Sequence, residues 1–240
     1  MNGLPDAEER FAGGAGEHCL RHPQLFGMTT MQFNNLFDWA ITPQKHRPDV
    51  QAARARRELM RQSFTHMRAE RQPEFCPPWV QGSSVGWRVL SPIDVTLTPL
   101  EQIEVANNER TEHAVRAVGK SQVWLRGGAA LALDPPPWLN AYQFTTEQGP
   151  ETMFLPNGLG TIEWRLGWTI ADWGELGIIV IPSPSCTDLG VEIGVFTPAT
   201  LGRIADKGMS IAISPKERIT VSRGDEIARI IPISKECLKL

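Results

Sequence analysis

From Phe75 onward, short β-favouring runs alternate with Gly, Pro, Asn and Asp turns. No other feature restricts the fold as strongly, because a chain broken every 8–15 residues cannot supply long packed helices. The candidate strands are 85–90 (VGWRVL), 93–97 (IDVTL), 101–106 (EQIEVA), 121–126 (SQVWLR), 129–133, 140–146, 160–165, 176–181 (LGIIVI), 191–196 (VEIGVF), 209–213 (MSIAI), 217–221 (ERITV) and 226–233 (EIARIIPI). Gly (21) and Pro (19) make up one residue in six of the 240, which also argues against a helix bundle. The expected fold is mainly β over 73–240, a sandwich or a β-clip-like distorted barrel, preceded by an N-terminal helical arm over 28–72. The run 176–181 is apolar on both faces of the pleat, so it should be a central strand.

Within the arm, 48–70 carries a helical spacing. Pro48 and Asp49 suit a first turn, and Val50, Ala53, Met60, Phe64 and Met67 recur every three or four residues. Between 44 and 71 there are eight Lys or Arg and three Asp or Glu, a local charge of +5. One reading is an amphipathic helix that lays its apolar stripe on the core and solvates its arginines. The other is a basic arm for an acidic partner or nucleic acid, although few aromatic or polar base-reading groups lie nearby. Ahead of the helix, Met31, Phe33, Leu36, Phe37 and Trp39 form an apolar cluster expected to dock on the β domain. Residues 1–27 are Gly-rich and aperiodic and read as a disordered tail.

Charge and apolar patterning narrow the partners. Lys and Arg number 24 against 27 Asp and Glu, so no global positive field draws in nucleic acid. No apolar run reaches the roughly 18 residues of a membrane-spanning helix. The first residues lack the basic and apolar regions of a secretory signal, so a cytoplasmic setting is expected. Cys19, Cys76, Cys186 and Cys237 are widely spaced and read as reduced thiols. Glu17, His18, Cys19 and His22 cluster in the tail, but Pro23 and the neighbouring glycines give them no scaffold, so no metal site is expected. Ala114–Ser121 loosely matches a phosphate-binding loop. A strand, QVWLR, follows it where that loop needs a helix, so Gly119-Lys120 reads as a turn.

The stretch 157–181 is the richest in chemistry. Trp164, Trp168 and Trp173 lie among Glu163, Arg165, Asp172 and Glu175. Indole faces and interleaved charges can build a stacking platform with polar anchors. The competing reading fills the core with the tryptophans and turns the charges outward. On the first reading, Trp87, Arg88, Trp164, Arg165, Trp168 and Trp173 line a ligand site. Glu163 or Asp172 is then the acid or base, and Arg88 or Arg165 the anion anchor. No cofactor is specified.

Several short motifs carry a resemblance. They are Gly86-Trp87-Arg88-Val89-Leu90-Ser91-Pro92, Pro136-Pro137-Trp138-Leu139-Asn140, Gly160-Thr161-Ile162-Glu163, and Gly224-Asp225-Glu226 leading to Ile231-Pro232-Ile233. In this order, over roughly 75–234, the chain resembles a bacterial family known as domain of unknown function 6065, which implies a β-rich domain and no known activity. Asp172-Trp173-Gly174-Glu175-Leu176 and Gly224-Asp225-Glu226-Ile227-Ala228-Arg229 are similar to strands of the dUTPase and dCTP deaminase superfamily. That likeness implies a clip-like fold with Asp172 at the place of the catalytic acid. Arg88 stands where that family has an acid, and its Arg-Ser substrate motif has no counterpart here.

Three functions follow as expectations. The first is binding of a small or nucleotide-like molecule, with metal-free biosynthetic tailoring as its enzymatic form. The second is a non-catalytic assembly role through the 48–70 helix and a Trp-rich face, with homo-oligomerisation expected by analogy. The third is nucleotide pyrophosphatase or deaminase chemistry.

Overall fold

Alternating apolar and polar residues commit most of the chain to half-buried strands. The structure, a computed structural model, describes residues 31–63, 73–126 and 128–238. The tail reading for 1–27, with its Glu17–His22 cluster, lies outside the described residues, as do Phe64 and Met67 of the expected helix. In chain order the elements begin with β1 (Gln32–Asn35), α1 (Val50–Ser63), α2 (Pro77–Ser84), β2 (Trp87–Leu90), β3 (Val95–Leu97) and β4 (Gln102–Val105). Then come α3 (Thr111–Ala117), β5 (Gln122–Arg126), β6 (Ala129–Leu133), α4 (Pro137–Ala141), β7 (Gln143–Thr146), β8 (Gly149–Thr152), β9 (Phe154–Gly158) and β10 (Thr161–Arg165). The last are β11 (Trp168–Asp172), β12 (Leu176–Pro182), β13 (Gly194–Phe196), α5 (Pro198–Ile204), β14 (Ser210–Ile213), β15 (Ile219–Val221) and β16 (Glu226–Ser234).

The fold is mainly β and sandwich-like. Every strand pair is antiparallel, and no sheet closes into a barrel among the described residues. The largest sheet runs β13-β12-β16-β2, so the doubly apolar strand is indeed interior. A second sheet, β14-β10-β9, and a third, β4-β6-β5, share one continuous core with it. Along β10 the pleat is plain: Ile162 and Trp164 are fully buried, while Glu163 and Arg165 take the other face and are half-buried.

The segment before residue 73 contributes to that core. β1 pairs with β11, and Phe33 meets Trp168 and Trp87 edge-on at 5.6 and 5.4 Å. Phe37 stacks on Trp39, and both touch Phe144. Trp39 lies against Gly167, whose φ of +74° and missing Cβ allow the approach; a methyl there would sit 2.4 Å from the ring.

Helix α1 departs from the amphipathic expectation. Of its fourteen residues only Ala53 is buried, and Leu59 and Met60 are 65% and 46% exposed. The apolar stripe over Val50–Met60 therefore does not pack on the core. Arg57 interrupts it, and the single carboxylate in the helix, Glu58, is exposed and accepts a hydrogen bond from the Gln62 side-chain amide. Residues 140–146 are likewise not one strand: α4 occupies Pro137–Ala141 and the strand starts at Gln143. The expected turn at Gly119 is present, with a φ of +71°, but it ends a short helix, α3, for which the sequence carries no clear signal.

Candidate functional site

Two strands on different sheets set the polar centre of the site. Glu163 stands on the outer face of β10, and Arg126 ends β5, where Trp124 and Arg126 point inward and Val123 and Leu125 outward. Their side chains form an ion pair, with 35% and 22% of the Arg and Glu side chains still exposed. The neighbouring pair on the same face, Arg165 with Glu151, repeats the pattern. Burial, reinforced by the nearby Arg126 guanidinium, pushes Arg165 below the ordinary arginine value. The Arg165 guanidinium also lies 5.9 Å from the centre of the Phe144 ring.

The Arg126–Glu163 pair opens onto a surface cleft of about 210 Å³. Val180, Phe196 and Ile211 give it apolar walls, and Glu192 adds a second carboxylate, whose Oε1 accepts the Ser214 hydroxyl at 3.1 Å. One guanidinium against two carboxylates leaves the lining net negative by one. Such a lining favours ligand groups that donate hydrogen bonds or carry positive charge, with aliphatic C–H against Phe196. Among the described residues no group of three or more His, Cys, Asp or Glu is placed to hold a metal ion.

The sequence-selected residues fall into four places. Glu163 lines the cleft, and Arg165 stands beside it on the same strand face. Trp164 and Trp168 are fully buried in the core, so their indoles offer no face to a ligand. Phe154 packs on Trp164 with ring centres 5.2 Å apart. Asp172 and Trp173 sit at the β11–β12 turn, where Asp172 Oδ1 accepts the Gly174 N–H at 3.2 Å, and they do not line the cleft. Trp87 and Arg88 lie on edge strand β2; the Trp87 ring is covered by the Lys45 ammonium, 3.6 Å from its centre. Arg126, Glu192 and Phe196 were not selected from the sequence. For Arg126 a signal exists: the alternation in QVWLR puts it on the face of Trp124, which leaves a charge pointing inward.

No family model matches the chain, and no curated protein matches it. No helix among the described residues is long and apolar enough to cross a membrane.

Proposed function

We propose that this chain is a small-molecule-binding β domain whose ligand occupies the cleft at Glu163. The observation that carries the reading is a half-buried carboxylate, fixed by Arg126, at the mouth of a concave site with apolar walls. Concavity with a few convergent polar groups is the usual form of a ligand site. The net negative lining points to a small hydroxyl- or amine-bearing molecule. In the enzymatic form of the reading, biosynthetic tailoring without a metal, Glu163 accepts the ligand's proton and Arg126 holds the carboxylate in place. Arg165 and Glu151 serve as neighbours that stiffen the face. The motif order that resembles domain of unknown function 6065 agrees with a β-rich domain and adds no activity.

The test is ligand-observed NMR with a panel of polyols, amino sugars and small amines against wild type and Glu163→Gln. Bound members should lose at least about tenfold in affinity in the variant, the cost of one charge-assisted hydrogen bond. Equal binding by both proteins removes Glu163 from the site. Because the ion pair is partly solvent-exposed, the substitution should cost no more than about 1 kcal/mol of stability, so loss of binding is not loss of fold.

A second reading, assembly through the arm, has its own support. α1 leaves Leu59 and Met60 in solvent beside Arg54, Arg56 and Arg61, which suits a helix that meets a partner. Its Trp-rich face has no such support, since Trp164 and Trp168 are core. Deleting 28–72 would not test it cleanly, because β1 lies in that span; Leu59→Glu with Met60→Glu, read by sedimentation, does. Nucleotide pyrophosphatase or deaminase chemistry draws nothing further from Asp172, which closes a turn.

A further inference from the structure

A second polar cluster lies on the β2–β16 edge, and none of its residues lines the cleft. Arg88 of β2 and Arg229 of β16 are directly opposed in the strand register. Like charges placed so repel one another unless something between them carries negative charge. One carboxylate does so, Glu226, whose side chain is only 8% exposed. Its Oε1 accepts Arg229 Nε at 2.7 Å and the Ser183 hydroxyl at 3.0 Å. Its Oε2 stays 3.9 Å from Arg88 Nε, beyond hydrogen-bond range. Arg229 is thus satisfied, and it also donates to the Ser83 carbonyl. Arg88 is not: its Nε is buried and has no hydrogen-bond partner among the described residues.

An imidazole joins them. Residue 44 bridges to β2, with Gln44 N–H donating to the Arg88 carbonyl at 3.0 Å and Arg88 N–H to the Gln44 carbonyl at 2.7 Å. His46 follows Gln44 by two residues. Gly86, just before β2, is held to glycine, since a Cβ would fall 2.1 Å from the Ile230 carbonyl oxygen. Burial, then Arg229 and Arg88, pull the His46 imidazole below its ordinary value, and Glu226 opposes them weakly. Two guanidinium groups and an imidazole therefore share a single carboxylate.

We propose that Arg88 and His46, backed by Arg229, form a binding site for an oxyanion, a phosphate or carboxylate group of a small molecule. The Arg88 side chain is 31% exposed, so its terminal guanidinium nitrogens supply the directed hydrogen bonds, the guanidinium pair supplies the field, and His46 becomes a further donor once protonated. Glu226 and Ser183 hold Arg229 in place and do not touch the ligand. This site stands independently of the cleft reading.

The experiment is an NMR titration of the full chain with inorganic phosphate, at ionic strength held constant with sodium chloride, following the His46 ring resonances. Saturable shifts are expected, together with an upward move of the His46 pKa, because a bound anion favours the imidazolium. Arg88→Gln should weaken phosphate at least about tenfold, and Arg88→Lys, which keeps charge without the planar fork, should fall between. Should Arg88→Gln fail to fold, the Lys variant alone carries the comparison. Acetate in place of phosphate separates a carboxylate site from a phosphate site. A linear, unsaturating response to phosphate, or equal affinity in wild type and the Arg88 variants, overturns the proposal.

Discussion

Replacing Trp164 by phenylalanine should leave stability within about 1 kcal/mol of wild type, whereas Trp164→Ala should cost about 3–5 kcal/mol. The difference comes from the indole N–H. Trp164 is fully buried between β9 and β14, opposite Phe154 and Ile211, and its Nε1 has no hydrogen-bond partner among the described residues. A buried, unpaired donor costs roughly 1–3 kcal/mol. Phenylalanine removes that donor together with about two carbons, worth ~0.8 kcal/mol each in transfer free energy. The two effects nearly cancel. Alanine removes the donor as well, but it forfeits the whole ring and leaves a cavity against Phe154. Urea unfolding followed by far-UV circular dichroism measures both, since eight tryptophans would blur a fluorescence signal. A phenylalanine variant as unstable as the alanine one would refute the reasoning, because the indole N–H would then be making a favourable bond. A nearly neutral alanine variant would refute the assignment of Trp164 to the core.

Two further outcomes follow from the geometry. Gly167→Ala should destabilise by about 2–4 kcal/mol, from the left-handed backbone and from displacement of the Trp39 ring, which the new Cβ would meet at 2.4 Å, read as a lower urea midpoint. The depressed His46 gives a pH effect of definite sign. Between its lowered folded value and the ordinary 6.5, the unfolded chain binds more protons, so stability falls as pH drops through that window. His46→Gln should flatten this slope in thermal melts run from pH 7.5 down to 5, and an unchanged slope would contradict the assignment.

Much of the β architecture is legible because strand signals are local. The apolar run LGIIVI marks an interior strand, and the alternation in GTIEWR separates Trp164 from Glu163 and Arg165. Elements with competing local signals were not read. β9 carries Pro156, which argues against a ladder position, yet Gly158 and Leu159 with positive φ and Gly160 close it into a hairpin with β10. Helix α5 had a readable start in Thr197-Pro198, and the Thr197 hydroxyl does accept the Thr200 N–H at 3.2 Å. β1 and β11 find each other across more than 130 residues, a pairing no window of sequence contains.

The site was legible only residue by residue. Glu163 could be chosen from its position among tryptophans, but its partner Arg126 lies 37 residues away on another sheet. The indoles themselves were ambiguous, since a tryptophan serves a core and a stacking platform equally well until burial decides. At Trp164 and Trp168 burial decides for the core. The helix pattern in the arm misled in the opposite direction: regular apolar spacing indicates a face, not what covers it. Met60 has the spacing and remains in solvent, as does its neighbour Leu59.

The most direct test of the central claim is chemical-shift mapping of the isotope-labelled chain against the panel of polyols and amines. Bound ligands should shift the methyl resonances of Val180, Ile193 and Ile211 together, the apolar groups that line the cleft with Glu163. Ligands that bind while leaving those three methyls unmoved would contradict it.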